Sequence, residues 1–391
     1  MKKLNKKIAI ITGSRGDFDL LKPIIKKLYK SKKLKVYTIV TGSHLIKDYQ
    51  NKKLFKKDLI KINKKIIIKY SGDNTSSILN YFSDGIKKFN EYYKKLKPDI
   101  VLVLGDRYEI FSAVISAYFD RIPIAHISGG EVTQGAFDDG IRHSITKLSS
   151  IHFVTNKIYA NRVHQLGENK KNIHVVGSTG VEDINEIKFY NKKQIQNIIN
   201  YNFRGKNFLI TFHPVTLEKN YGLKDFKTIL KYFSNKPNIG ILFTLPNTDT
   251  KNYKIISLIK TFVKKNKNSY FFKYLGKQTY FSIIKNFDGV IGNSSSGISE
   301  VPSLKVPTIN IGTRQKGRIM APSIIDIKRL SIKSLDRALK KIETVKFKKV
   351  LLKSKNPYYK NYTTENIIKI LERINFENIN YKKFVDMELK R

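Results

Sequence analysis

The chain has 391 residues, 41% of them hydrophobic, enough for two domains with separate cores, and no apolar run approaches the ~20 residues of a membrane helix. The absence of cysteine excludes disulfides and thiolate metal sites and fits a reducing compartment. The net charge of +44 raises nucleic-acid binding, but the lysines are scattered as KK pairs over nearly every predicted helix, not gathered in one stripe with interleaved aromatics. Abundant Lys, Asn, Ile, Tyr and Phe without Trp or Cys is the residue profile of an AT-rich genome, which leaves only a general attraction for anionic ligands. Met-Lys-Lys leads directly into a strand and does not read as a secretory signal, so a soluble cytoplasmic protein is expected.

KKIAIIT (6–12) is a β-branched apolar run, followed by Gly13-Ser14-Arg15-Gly16-Asp17 and the helical pattern FDLLKPIIKKLYKS. Strand, glycine turn and helix open a nucleotide-binding α/β fold. The turn is neither G-x-G-x-x-G nor a P-loop, so a dinucleotide or kinase assignment is unsupported. Further strands are predicted at 35–41, near 66–69 and, buried, at 100–104, where the chain reaches Gly105-Asp106-Arg107. Helices are predicted over about 75–96 and 109–119. IPIAHIS then runs into Gly129-Gly130-Glu131, and DDGIRHSITKLSS begins a helix at Asp138 or Asp139. IHFVT and NIHVVGS (172–178) close a first series, and residues 181–204 read as a polar helix plus linker. A second series has strands in NFLITFHP (207–214), GILFTLP (240–246), near 269–274, DGVIGN (288–293) and PTINIG (307–312), then a lysine-rich helical tail from about 360. Alternating strands and helices indicate parallel sheets, whose ligands gather beyond the carboxyl ends of the strands.

In IGNSSSGISEVPSLKVPTINIGTRQKGR (291–318) a strand, a tight turn, a short helix, a second strand and a glycine–arginine loop succeed one another. Helix-start N–H groups and the hydroxyls of Ser294 and Ser295 suit a phosphate, and Arg314 and Arg318 could reach the same oxygens with forked donors. An ordinary N-cap and surface loop would explain the serines alone; Glu300 and two arginines between strand ends favour a nucleotide-phosphate site. Asp106 stands at a strand end before Arg107, and Glu131 follows Gly-Gly, a turn that brings a carboxylate over a sheet edge. Asp138 and Asp139 suit helix caps; Asp139 can pair with His143, and Arg142 with Asp138, one turn apart. His213 ends a strand before Pro214, whereas His126, His152 and His174 lie inside strands and read as structural. Carboxylates with one histidine suit general acid–base chemistry; they could equally hold a divalent metal, though no HxH or HExxH spacing supports one.

TGSRGDFDLLKP, LGDRYE, SGGEVTQGAFDDGIRHSITKLS, TFHPVTLE, LPNTD and GNSSSGISEVPSLKVPTINIGTRQKGR, in that order over about residues 10–320, resemble the hydrolysing UDP-N-acetylglucosamine 2-epimerases. The resemblance is nearest to bacterial enzymes that supply sialic-acid-like nonulosonates, including the legionaminic acid branch. It implies an α/β protein of two Rossmann-like domains (1–180 and 205–360) in a glycosyltransferase-B-like arrangement. The active site would lie in the inter-domain cleft, and a C-terminal helix (361–391) would return to the first domain. It also implies elimination of UDP across carbons 1 and 2 to a 2-acetamidoglucal, then water addition to give N-acetylmannosamine, without NAD or an obligatory metal, in a homodimer or homotetramer. Carried over, Ser294, Ser295, Glu300 and Arg314 bind the uridine diphosphate with help from Arg15, Arg107 and Asn247, and Glu300 takes the ribose. Asp106, Glu131, Asp138 and His213 are the catalytic candidates: Asp106 or Glu131 for the proton on carbon 2, His213 near the departing phosphate, and Arg142 steadying the carboxylates. Ser128 stands where many relatives carry Glu, so Glu131 must substitute for that residue or the roles divide differently. The alternatives are the same reaction on UDP-2,4-diacetamido-2,4,6-trideoxyglucose, a non-hydrolysing epimerase and a GT-B glycosyltransferase.

Overall fold

The run KKIAIIT forms β1 (Lys6–Thr12), which pairs in parallel with β2 (Leu34–Val40) on one side and β4 (Ile100–Leu104) on the other. The computed structural model describes residues 6–45, 55, 58–69, 72, 74–246 and 251–387. Its first sheet is completed by β3 (Lys64–Lys65), β5 (Ile124–Ile127), β6 (Ile151–Val154) and β7 (Ile173–Val175), all parallel, in the order β3-β2-β1-β4-β5-β6-β7. The helices between them are α1 (Arg15–Leu28), α2 (Thr75–Leu96), α3 (Tyr108–Phe119), α4 (Asp138–Leu148) and α5 (Lys157–Gln165).

The second sheet repeats the pattern. It holds β8 (Lys206–Thr211), β9 (Ile239–Thr244), β10 (Ser269–Phe272), β11 (Gly289–Gly292), β12 (Thr308–Ile311) and β13 (Ile324–Ile327), in the order β10-β9-β8-β11-β12-β13. Its helices include α6 (Leu223–Phe233), α7 (Asn252–Lys265), α8 (Lys277–Asn286), α9 (Ser295–Ser299) and α10 (Ile332–Glu343). Side chains alternate across β8. Phe208, Ile210 and Phe212 enter a core with Phe226, Phe233, Phe243 and Ile259, while Leu209 enters a second core with Tyr201, Phe281 and Phe287. Burial on both faces explains why the central strands are unbroken apolar runs, each large side chain contributing ~2–3 kcal/mol. In both sheets the strand order reverses beside the first strand, between β1 and β4 and between β8 and β11. Ligands of parallel sheets gather at that point.

The chain divides into two units: residues 1–131, 138–182 and 360–391, and residues 132–137 with 183–359. A last helix, α11 (Thr363–Arg373), belongs to the first unit, where Thr363 Oγ1 donates to the Val176 carbonyl at 2.7 Å. Two details depart from the sequence expectation. Strand pairing near 66–69 is confined to Lys64–Lys65; the Ile66 N–H still donates to Val40, but Ile66 and Ile68 bury their side chains without extending the ladder. Residues 324–327, not anticipated as a strand, form the edge strand β13 beside β12.

Candidate active site

In the first unit the turn after β1 is filled from within. Asp17, buried on the first turn of α1, accepts from the Gly13 N–H at 2.8 Å, the Ser14 N–H at 2.9 Å and Thr12 Oγ1 at 2.9 Å. Burial raises its pKa above the usual carboxylate range, and those hydrogen bonds act against the rise. Since Asp17 itself occupies these amides, the turn does not offer them as a phosphate cradle. Arg15 stands at the first position of α1, directly after the cap Ser14. Arg107 places Nε 3.4 Å from Oε1 of the buried Glu109 and its guanidinium over the Tyr108 ring.

Beside β4 the structure brings three of the sequence-derived candidates together. Arg142, buried on α4, donates through Nη2 to Asp106 and through Nη1 to Glu131 Oε2 at 3.4 Å. Burial works against its charge, but Asp106, Glu131 and Asp138 outweigh that and raise its pKa. Arg142 is therefore more than an i,i+4 partner of Asp138. Glu131 also accepts from Thr155 Oγ1 at 3.4 Å. The turn that delivers it needs Gly130, at φ +73°, because a Cβ there would meet the Tyr159 carbonyl oxygen at 2.6 Å. Asp138 begins α4, and the Asp139 carboxylate lies 3.7 Å from His143 Nε2. His126 braces the group: Nε2 meets the Gly105 carbonyl at 2.8 Å and Nδ1 meets Thr146 Oγ1 on α4 at 3.1 Å. Burial lowers its pKa to about 3, so the ring is neutral. His152 pairs with the buried Glu168 at 3.1 Å.

The second unit has a hub that sequence reasoning passed over. Asn293, fully buried just past β11, accepts at Oδ1 from the His213 N–H and donates from Nδ2 to the His213 carbonyl. Its own carbonyl accepts from Arg314 Nη1 at 3.3 Å and from the buried Gln315 Nε2 at 2.8 Å. A glycine must precede it: Gly292 has φ +136°, and a Cβ would lie 1.9 Å from the Thr211 carbonyl oxygen. Ser294 caps α9 by accepting from the Ser296 N–H at 3.4 Å, and Ser295 is the first residue of that helix. Glu300, at the end of α9, accepts from Ser299 Oγ at 2.6 Å. The Tyr280 hydroxyl donates to Ser296 Oγ at 3.3 Å, and burial pushes its pKa up to about 12. Arg318, expected to share in phosphate binding with Arg314, engages Val132 and Thr133. Asn247 lies outside the described residues.

A model of the UDP-N-acetylglucosamine 2-epimerase family matches residues 26–372. The chain belongs to that family. It is 38% identical over 385 residues to the GDP/UDP-N,N'-diacetylbacillosamine 2-epimerase (hydrolyzing) of Campylobacter jejuni, covering 98% of this chain and 99% of that protein. It is 35% identical to the polysialic acid biosynthesis protein P7 of Escherichia coli, covering 98% of each. The fold matches that of the UDP-GlcNAc 2-epimerase from Neisseria meningitidis bound to UDP-GlcNAc, with a TM-score of 0.78 over 93% of this chain and 99% of that one, at 19% identity. This epimerase-family chain thus has the two-domain α/β architecture of the glycosyltransferase-B type. Among the described residues no helix is long and apolar enough to cross a membrane.

Proposed function

We propose that the protein is a hydrolysing UDP-sugar 2-epimerase. The observation that carries the chemistry is Arg142 binding both Asp106 and Glu131 in a buried setting. One arginine holds two carboxylates at fixed positions, as removal of a weakly acidic proton and its return to the opposite face require. In the first step Asp106 or Glu131 takes the proton from carbon 2. The C1–O bond breaks with its electron pair passing to the diphosphate, and a C1–C2 double bond forms. In the second step water gives its oxygen to carbon 1 and a proton enters at carbon 2, releasing the free epimer. Ser294, Ser295, Glu300 and Arg314 hold the UDP, with Arg15, Arg107 and Asn247 assisting. His213 and Arg314 face the charge that develops on the leaving diphosphate. Asp138 keeps its place beside the arginine.

For the sugar, the reading begins from UDP-N-acetylglucosamine, which would yield N-acetylmannosamine. A specific observation favours the 2,4-diacetamido-trideoxy sugar instead: the relatives from Campylobacter jejuni and Legionella pneumophila, 38% and 30% identical, are both named diacetylbacillosamine 2-epimerases (hydrolyzing). An NMR time course in deuterated water with each UDP-sugar tests both points. Free UDP with a sugar deuterated at carbon 2 is the expected result, and the faster substrate names the sugar. A 2-epimer still carrying UDP would replace hydrolysis with the non-hydrolysing reaction. No change in either sugar would remove the epimerase reading.

A further inference from the structure

The candidate carboxylates Glu131 and Asp138 are separated by VTQGAF, and these six residues leave the first unit to pack within the second. There the segment 132–137 is tied to the loops that follow β8 and β12. Arg318 Nε donates to the Val132 carbonyl at 3.1 Å, and Nη2 reaches Thr133 Oγ1 at 3.5 Å. The Gln134 N–H donates to the Lys316 carbonyl, the Leu217 N–H to the Gly135 carbonyl, and the Phe137 N–H to Thr216 Oγ1. Thr313 Oγ1 donates to Glu218 at 2.6 Å and so joins the two loops to each other.

The fit is close as well as hydrogen-bonded. A Cβ on Gly135 would meet the backbone of Arg314 at 2.7 Å, and one on Gly317 would meet Val132 Cγ2 at 2.7 Å. The segment therefore rests directly on the loop that carries Arg314. Its two ends continue, with no intervening residue, into Glu131 and Asp138.

We propose that Arg318 is a positioning residue: by gripping Val132 and Thr133 it couples the Arg314 loop to the spacing of Glu131 and Asp138. Nucleotide bound at Arg314 then steadies both carboxylates through the segment, so binding energy at the diphosphate is used to order the reacting groups. This inference rests on the reading of Arg314 as a nucleotide contact. Arg318 itself touches the segment, and it acts through its neighbours.

Three variants of the full chain test this: Arg318→Met, Arg318→Lys and Gly135→Ala. Arg318→Met should lower kcat for UDP release about 100-fold while UDP binds no more weakly than to the parent, since binding energy no longer spent on placing the carboxylates stays with the nucleotide. Arg318→Lys keeps one donor and should recover part of kcat. Gly135→Ala drives a Cβ against the Arg314 backbone, loosening the segment from that loop without altering Arg318, and should also lower kcat. A weakened UDP affinity with full kcat at saturation would make Arg318 a phosphate ligand and overturn the proposal, as would an unchanged kcat in both Arg318→Met and Gly135→Ala. Hydrogen exchange reads the coupling without turnover, so it separates this idea from the assigned reaction. UDP should slow exchange at Gln134 and Phe137 in the parent protein and lose that effect in Arg318→Met; equal protection in the two proteins would overturn the proposal even if the enzyme epimerises.

Discussion

Asn293 holds His213 by the backbone from both sides, accepting its N–H at 2.7 Å and donating to its carbonyl at 2.8 Å. The backbone of His213 is thereby fixed by a residue at the neighbouring strand's end, across the point where the strand order reverses. Asn293→Ala leaves both His213 backbone groups buried without those partners, which costs ~2–3 kcal/mol of stability. Asn293→Asp keeps the acceptor and loses the donor, so the loss should be smaller. Urea midpoints of the two variants check the order. If Asn293→Ala unfolded no earlier than the parent, the pairing would be energetically idle.

Arg142 neutralises two carboxylates that lie largely out of water. Arg142→Met should destabilise the first unit by ~3 kcal/mol, because the remaining acids are left without their cation. Turnover should fall at least about 100-fold, the usual scale for a group that fixes reacting partners. Arg142→Lys retains charge but not the fork, so it should restore stability better than rate. Denaturation curves and steady-state rates, measured together, separate the two effects.

His126 gives the acid limb of the stability profile. Its pKa is lowered to about 3 by burial, whereas an unfolded histidine titrates near ~6.5. The unfolded chain therefore binds a proton there over an interval in which the folded chain does not. Stability is fully present above about pH 6.5 and falls on acidification toward pH 3, with a slope of up to ~1.4 kcal/mol per pH unit. His44 is lowered to about 3 as well, by burial and by Arg15, and adds to the same limb. Denaturant titrations of His126→Gln between pH 5 and 7.5 should show a shallower slope than the parent.

Glu109 acts with the opposite sign. Burial raises its pKa, and the Arg107 charge opposes the rise only in part. The folded chain keeps that proton to higher pH than the unfolded one, so its favourable contribution is present below the ordinary carboxylate pKa of ~4 and is lost as pH rises through the folded value. Asp17 contributes in the same sense. Glu109→Gln should gain on the parent as pH rises above ~4. Taking the difference between the two proteins removes the histidine contribution, which is common to both. A constant difference across pH would show that Glu109 is ionised in the folded protein without penalty.

The buried parallel strands were legible because they are apolar runs, several of them closed by a glycine turn, as with IVLVL before Gly105 and GVIG before Asn293. Two edge strands were not: β3 is two lysines, and β13 is a four-residue run, IIDI, interrupted by the exposed Asp326. The motifs also led to Asp106, Glu131 and Arg142, whose grouping depends on sheet order rather than on distance along the chain. Asn293 went unnoticed because an asparagine after a strand usually marks a turn; only the neighbouring strand reveals its two bonds to His213. Likewise nothing in VTQGAF marks it as packing apart from the residues on either side. The service of Asp17 to the Gly13 and Ser14 amides follows from a capping geometry that spacing alone leaves open.

The interleaving of the two units has a consequence for synthesis. The chain passes from one unit to the other after Glu131, Phe137, Glu182 and Tyr359. Domains usually fold in the order in which they leave the ribosome. Here α11 and the residues that bring Lys382 to Glu168 emerge only after all of the second unit has been made. A nascent chain can therefore close its later-encoded unit first, while the earlier one waits with part of its surface uncovered. Loss of the last thirty or so residues would then injure the beginning of the protein, and no simple cut in the gene would release either half intact.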